Sequence, residues 1–98
     1  MTITKKADGK RLIISVNGRI DTITAPRLER ETLADIGATD EFIIDFSELD
    51  YISSAGLRSL LNIQKAIGKE RKLTVTGCRD EILEIFEITG FYYVFNIK

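Results

Sequence analysis

Residues 45–61 read DFSELDYISSAGLRSLL, and this stretch holds the change from strand to helix that decides the fold. The run EFIIDF at 41–46 leads into it and is typical of a short central strand covered on both faces. After it, leucine and isoleucine recur at helical spacing up to Ile67, while polar residues form one stripe. That stripe consists of Arg58, Asn62, Lys65 and Lys69. The pattern predicts a strand followed by a mostly buried helix that begins at Ser53 or Ser54.

Upstream, the sequence predicts two strands and a helix. A short edge strand is expected near residues 2–6, and RLIISV at 11–16 is rich in β-branched residues. Asn17-Gly18 then predicts a tight hairpin into a short strand at 19–20. For the next helix we expect Thr24 as the N-cap, Pro26 in the first turn and Gly37 at the end.

Downstream, the chain continues the alternation. KLTVTG at 72–77 predicts a strand with Leu73 and Val75 on one face. A helix should follow, with Asp80 and Glu81 at its positive end and Gly90 as its C-terminal cap, before a last short strand in the tail. Alternating strands and helices predict one α/β domain, residues 1–98, with right-handed crossovers between parallel strands. Binding features of such sheets gather at the carboxyl ends of the strands.

Composition counts against an enzyme. The 98 residues contain no histidine, so a Ser-His-Asp triad and a histidine-assisted metal site are impossible. The single cysteine, Cys78, leaves a zinc site almost without ligands and allows no internal disulfide. The net charge of −1 gives no support for nucleic-acid binding. Without an apolar run long enough for a signal peptide or a membrane helix, we expect a cytoplasmic protein that does not insert into membranes.

The serine stretch admits two interpretations. Ser53 or Ser54 could simply cap the helix, a contribution of about 1 kcal/mol. Alternatively, the helix start could hold a phosphoryl group on one serine, because its free N–H groups and partial positive charge favour an anion. Ser54 is in register with Arg58 and the polar stripe, and Ser53 with the buried leucines, so Ser54 is the better candidate. Arg58 could pair with the phosphoryl group or remain a solvated surface residue.

Three segments together resemble a STAS domain of the anti-sigma factor antagonist type. They are GRIDTITAPRLERE at 18–31, FIIDFSELDYISSAGLRSLL at 42–61 and LTVTGCRDEILEIFEITGF at 73–91. The resemblance implies a small mixed sheet with helices packed on one face, and a protein that is not an enzyme and needs no cofactor. It implies two partners: an anti-sigma factor serine kinase of the histidine-kinase-like ATPase fold, and a metal-dependent serine phosphatase. Unmodified, such a protein captures the kinase and so frees a sigma factor; phosphorylation releases the kinase.

The resemblance also assigns site residues. The phosphorylated serine falls on Ser54, and Ser53, where the family often has aspartate, is a second candidate acceptor. Asp21 matches an aspartate close to that serine, although a role in its own turn explains it equally well. The implied partner-binding set is Asp21, Ser53, Ser54, Ala55, Gly56 and Arg58.

Other functions remain open on the sequence alone. Some STAS proteins are accessory subunits of lipid ABC transporters that dock on the transporter's ATPase. A small-anion or nucleotide binder could use the same helix start, but the chain has no glycine-rich GxxxxGK[ST] loop. A serine hydrolase would need GxSxG and a histidine, and both are missing.

Overall fold

The computed structural model describes residues 1–98 as five strands and three α-helices. The strands are β1 (Thr2–Asp8), β2 (Arg11–Ile20), β3 (Glu41–Ile52), β4 (Thr74–Thr76) and β5 (Asn96–Ile97). The helices are α1 (Ala25–Leu33), α2 (Ser54–Ile67) and α3 (Asp80–Thr89), with short 3₁₀ turns at Ile36–Ala38 and Phe91–Tyr93. The predicted alternation and the short final strand are confirmed.

The strands form one mixed sheet in the order β1-β2-β3-β4-β5. β1 and β2 are antiparallel, and every later pair is parallel. Each crossover connection therefore leads from one strand to the adjacent strand, always in the same direction across the sheet. Because such crossovers are right-handed, α1, α2 and α3 all lie on the same face. The predicted arrangement of helices on one face is confirmed.

Burial alternates along the two central strands. The helix-facing side chains are buried: Leu12, Ile14 and Val16 on β2, and Phe42, Ile44 and Phe46 on β3. Their neighbours Ile13, Ser15, Ile43 and Asp45 are only half-buried, on the open face. The prediction that EFIIDF is covered on both faces is therefore wrong. The apolar run at 42–44 is unbroken because Ile43 lies beside its paired residue Ile13 on the open face. No second layer of the structure covers that face.

Asn17-Gly18 does not form the predicted hairpin. β2 continues through both residues to Ile20 and stays paired with β3. Two irregularities in register, between Ser15 and Asn17 and between Gly18 and Arg19, each add one residue on the β3 side. Gly18 has a φ of 103°, which few residues other than glycine adopt. The glycine that usually permits a turn here lies within a continuous strand, opposite the residues that β3 adds.

α1 begins as predicted, with Pro26 in its first turn, but it ends earlier than predicted. Thr24 occupies the N-cap position, but its side chain makes no capping hydrogen bond. Its hydroxyl instead donates to the carbonyl of Arg19 at 3.0 Å. The helix ends at Leu33, and Gly37 lies inside the following 3₁₀ turn, so the predicted end at Gly37 is wrong.

α1 also buries an unpaired hydroxyl. Thr32 is fully buried, and its Oγ1 has no hydrogen-bond partner. Thr32→Val keeps the shape and removes the polar atom, so we expect it to raise the free energy of unfolding by about 1 kcal/mol. Urea denaturation followed by circular dichroism would measure the change. A lower free energy of unfolding for the variant would show that the hydroxyl is satisfied in solution.

The remaining helices match the expected patterns. On α2, Arg58, Asn62 and Lys65 are exposed, as the predicted polar stripe requires. The fourth predicted member, Lys69, is exposed but lies beyond the end of the helix at Ile67. α3 has Asp80 and Glu81 in its first turn and ends at Gly90, whose left-handed φ of 80° confirms the C-terminal cap. None of the three helices combines the length and the apolar character needed to cross a membrane.

Candidate functional site

The serine pair lies where β3 passes directly into α2. Ser53 is the N-cap, with an extended backbone, and its Oγ accepts a hydrogen bond from the Gly56 N–H at 3.3 Å. The Ser53 carbonyl accepts from the Leu57 N–H at 3.0 Å. The capping interpretation therefore applies to Ser53, and the hydroxyl of Ser54 is not used as the cap.

Ser54 is the first residue of α2, and its side chain is exposed, whereas Ser53 is half-buried. This agrees with the register argument from the sequence. An open groove of about 300 Å³ borders Ser54 and is lined by Ser54, Leu57, Arg58, Leu61, Thr89 and Phe91. We call it the Ser54 groove. Arg58 forms no ion pair in the structure, so its guanidinium is free to meet an anion at this end of the helix.

Gly56 allows the first turn of α2 to lie against the ends of two strands. A Cβ atom at this position would be 2.6 Å from Cγ1 of Ile52 and 2.7 Å from Cγ2 of Ile20. Real Cβ atoms do not come so close, so only glycine permits this approach. Gly56 therefore packs against Ile20 and Ile52, the last residues of β2 and β3.

Asp21 directly follows β2, beside the start of α2. Ile20 is paired with Ile52, and the Ser53 N–H donates to the Ile20 carbonyl at 2.9 Å. The Asp21 carboxylate accepts from the backbone N–H groups of Ile23 and Thr24, both at 3.0 Å. Asp21 therefore organises its own turn, one of its two predicted roles. The six predicted site residues all lie at the ends of two neighbouring parallel strands.

These hydrogen bonds make the Asp21 turn sensitive to acid. The pKa of the Asp21 carboxyl is lowered from its ordinary value of 3.8, mainly by the backbone N–H of Thr24. Because this pKa is lower in the folded protein, the ionised carboxylate stabilises the fold fully at pH values above the pKa of the unfolded chain. That stabilisation is lost as the pH falls through the pKa of the folded protein. We expect an NMR titration of the Asp21 carboxyl to have its midpoint below 3.8. A midpoint at or above that value would contradict the hydrogen bonding described.

Sequence reasoning missed two contacts that surround this edge. The Arg19 guanidinium lies 4.2 Å from the centre of the Tyr51 ring, a cation–π contact. Arg79, just before α3, forms ion pairs with Asp50 and Glu48 at the end of β3. No local pattern connects Arg79 to residues about thirty positions earlier, because only the parallel pairing of β3 and β4 brings them together.

The loop after β2 also exposes an apolar side chain. Ile23 lies at the tip of the Asp21 turn and is 86% exposed. Nothing in the sequence distinguishes it from a core isoleucine except its position between Asp21 and Thr24. It adds apolar surface to the edge that carries Ser54.

The single cysteine of the chain, Cys78, follows β4 at the same edge. Burial raises the pKa of its thiol to about 11, so it stays protonated at neutral pH. Its side chain packs against the core. No histidine is present to act as a general base for the Ser54 hydroxyl. Of these two groups, the Ser54 hydroxyl is the exposed one.

The structure is a small α/β binding domain, with helices on one face of a mixed sheet and an exposed hydroxyl at the first residue of α2. The STAS domain model matches residues 2–98, and the chain belongs to the STAS domain family. BtrV of Bordetella bronchiseptica is 34% identical over 94 residues, which cover 94% of this chain and 80% of BtrV. The anti-sigma-B factor antagonist of Listeria monocytogenes is 31% identical over 97 residues, 96% of this chain and 84% of the relative.

A solved structure agrees with this assignment. The crystal structure of an anti-sigma factor antagonist from Mycobacterium paratuberculosis superposes with a TM-score of 0.87 and 27% sequence identity. The match covers 98% of this chain and 83% of the other. The strand order and the helix face described above are therefore those of a known family member.

Proposed function

We propose that this protein is an anti-sigma factor antagonist whose binding to an anti-sigma factor is switched by phosphorylation of Ser54. All three similar proteins described above, from Bordetella, Listeria and Mycobacterium, carry the antagonist name. The observation that carries the proposal is the exposed Ser54 hydroxyl at the first residue of α2, beside a partly apolar groove. The partner surface consists of Asp21, Ser53, Ser54, Ala55, Gly56 and Arg58, which share one edge of the sheet.

Phosphorylation would change the charge of this surface without disturbing the fold. A phosphoryl group adds about −1.5 to −2 charges at neutral pH. At the first residue of α2 it meets the positive end of the helix, and Arg58 is one turn away. The protein therefore tolerates the group. A partner fitted to the neutral surface meets an uncompensated charge that it must desolvate, and it is released.

The partners follow from the same proposal. The anti-sigma factor acts as an ATP-dependent serine kinase of the histidine-kinase-like ATPase fold, and a metal-dependent serine phosphatase resets the switch. These reactions place the protein in the cytoplasm and make it a substrate, not an enzyme. The alternative of a lipid ABC transporter subunit is not favoured, because the relatives described above are named for sigma-factor regulation.

Ser53 is a poor acceptor on this proposal, because its Oγ already caps α2. Incubation with the cognate kinase and ATP should add one phosphate, which tandem mass spectrometry should locate on Ser54. Ser53→Asp is the matched control: aspartate also caps helices but has no hydroxyl. That variant should still take one phosphate, and Ser54→Ala none. A phosphate found on Ser53 in the wild-type protein would contradict the assignment.

A further inference from the structure

A second groove lies at the opposite end of α2 from Ser54. It has a volume of about 350 Å³ and is lined by Gln64, Lys65, Gly68, Lys69, Lys72 and Val94. We call it the lysine groove. Its three lysines are exposed, and none forms an ion pair with any acidic side chain. Three uncompensated positive charges around one depression are unusual in a chain with a net charge of −1.

The lysines are not needed to complete the end of α2. The Gln64 amide donates to the carbonyls of Gly68 and Arg71, at 3.2 and 2.6 Å, and accepts from the Leu73 N–H at 2.7 Å. Arg71 donates to the carbonyl of Ile67 at 3.0 Å. The carbonyls of Gln64 and Ile67 thus accept from the Gly68 N–H and from Arg71, and neither bond involves a lysine. The nearby Glu70 carboxylate lies within ion-pair distance of none of the three lysines.

The chemistry of the groove suits carboxylates better than phosphate. Compact phosphates are usually held by several backbone N–H groups at a helix start, and here a helix ends. Lysines offer point charges on flexible stems, spread around a floor that Val94 and the stems make apolar. The ligand that matches this groove carries several separate negative charges, each on its own carboxylate, beside an apolar side chain.

We infer that the lysine groove docks an acidic segment of a partner protein, with glutamates or aspartates beside one apolar anchor residue. Ser54 and Lys65 are eleven residues apart on one helix, about 17 Å along its axis. Since that distance exceeds the Debye length of about 8 Å at physiological salt, the charge on Ser54 has little influence at the groove. Docking there is independent of phosphorylation, and this inference does not rest on the proposed function.

The test uses a synthetic peptide of glutamates and leucines at helical spacing, titrated into the ¹⁵N-labelled protein. We expect shifts of the Lys65, Lys69, Lys72 and Val94 amides that weaken as salt is added. Lys65→Glu/Lys69→Glu should weaken binding by about tenfold or more. Lys6→Glu/Lys98→Glu makes the same charge change at two exposed lysines outside the groove, neither of which forms an ion pair, and should leave binding about unchanged. Ser54→Asp should bind the peptide as the wild type does, and no kinase is needed.

Several results would overturn the inference. An equal loss of peptide affinity in the two double variants would mean that the peptide is attracted to any exposed lysine. Tighter binding of inorganic pyrophosphate than of the peptide would identify a phosphate site. Shifts of the groove amides with protein concentration alone would identify a second copy of this chain as the occupant.

Discussion

Ser54→Asp should bind the anti-sigma factor kinase on the order of 100-fold more weakly than the wild type, a cost of about 2.8 kcal/mol. The exposed hydroxyl borders the Ser54 groove, so a docked partner would bury this position together with the half-buried Leu61. A carboxylate there must lose water on binding without gaining an opposite charge, and such penalties are typically several kcal/mol. Isothermal titration calorimetry with the purified kinase would measure the change in affinity.

Two variants separate charge from shape. Ser54→Asn has nearly the volume of Ser54→Asp without the charge, so it should lose much less affinity. Ser54→Ala cannot be phosphorylated, so it should stay bound when ATP is added. If Ser54→Asn and Ser54→Asp lose the same affinity, size and not charge controls binding. The denaturation midpoint of Ser54→Asp should match that of the wild type, because an acidic residue in the first turn favours the helix.

Gly56→Val should lower the free energy of unfolding by about 3 kcal/mol, and Gly56→Ala by about 1–2 kcal/mol. Alanine would favour the helix by about 1 kcal/mol relative to glycine. However, its Cβ would lie 2.6–2.7 Å from Ile52 and Ile20, whose side chains are buried and fixed. The overlap forces either the helix or the strand ends to move. Valine adds two methyl groups in the same space.

Gly37→Ala provides the matched control for Gly56. A Cβ at Gly37 would have no neighbouring atom within 4 Å, and the residue needs no positive φ. Its free energy of unfolding should stay within about 0.5 kcal/mol of the wild type. Because Gly56 lies two residues from Ser54, we also expect kinase binding to weaken in Gly56→Ala. A Gly56→Ala variant as stable as the wild type would mean that the contact between α2 and the strand ends is looser than described.

Local sequence patterns were enough for the helices and for most strands. The polar stripe of α2, the acidic first turn of α3 and the Gly90 cap each depend on neighbours within a few positions. Asn17-Gly18 shows where this reasoning fails. Its glycine can take a positive φ in a hairpin turn or within a continuous strand, and only pairing with β3, about thirty residues later, decides which. The prediction that β3 is covered on both faces was wrong for a related reason. An apolar run does not show whether one or two layers pack on a sheet.

The site was predictable to the same extent. The exposure of Ser54 followed from its register with Arg58 and the polar stripe. The Ser54 groove was not predictable, since Thr89 and Phe91 reach it from the far end of α3. Neither was the contact of Arg79 with Asp50, which depends on the order of strands in the sheet.

β3 and α2 are joined by a single residue, Ser53, whose N–H is bonded to the neighbouring strand and whose Oγ is bonded to the helix. Ser54 therefore has no hinge on either side. An enzyme that modifies it cannot draw the hydroxyl into a deep cleft, as it could with a flexible substrate peptide. It must bring its own reactive groups to a fixed point beside the Ser54 groove, so recognition of the folded domain, and not of a linear motif, should govern the rate of modification.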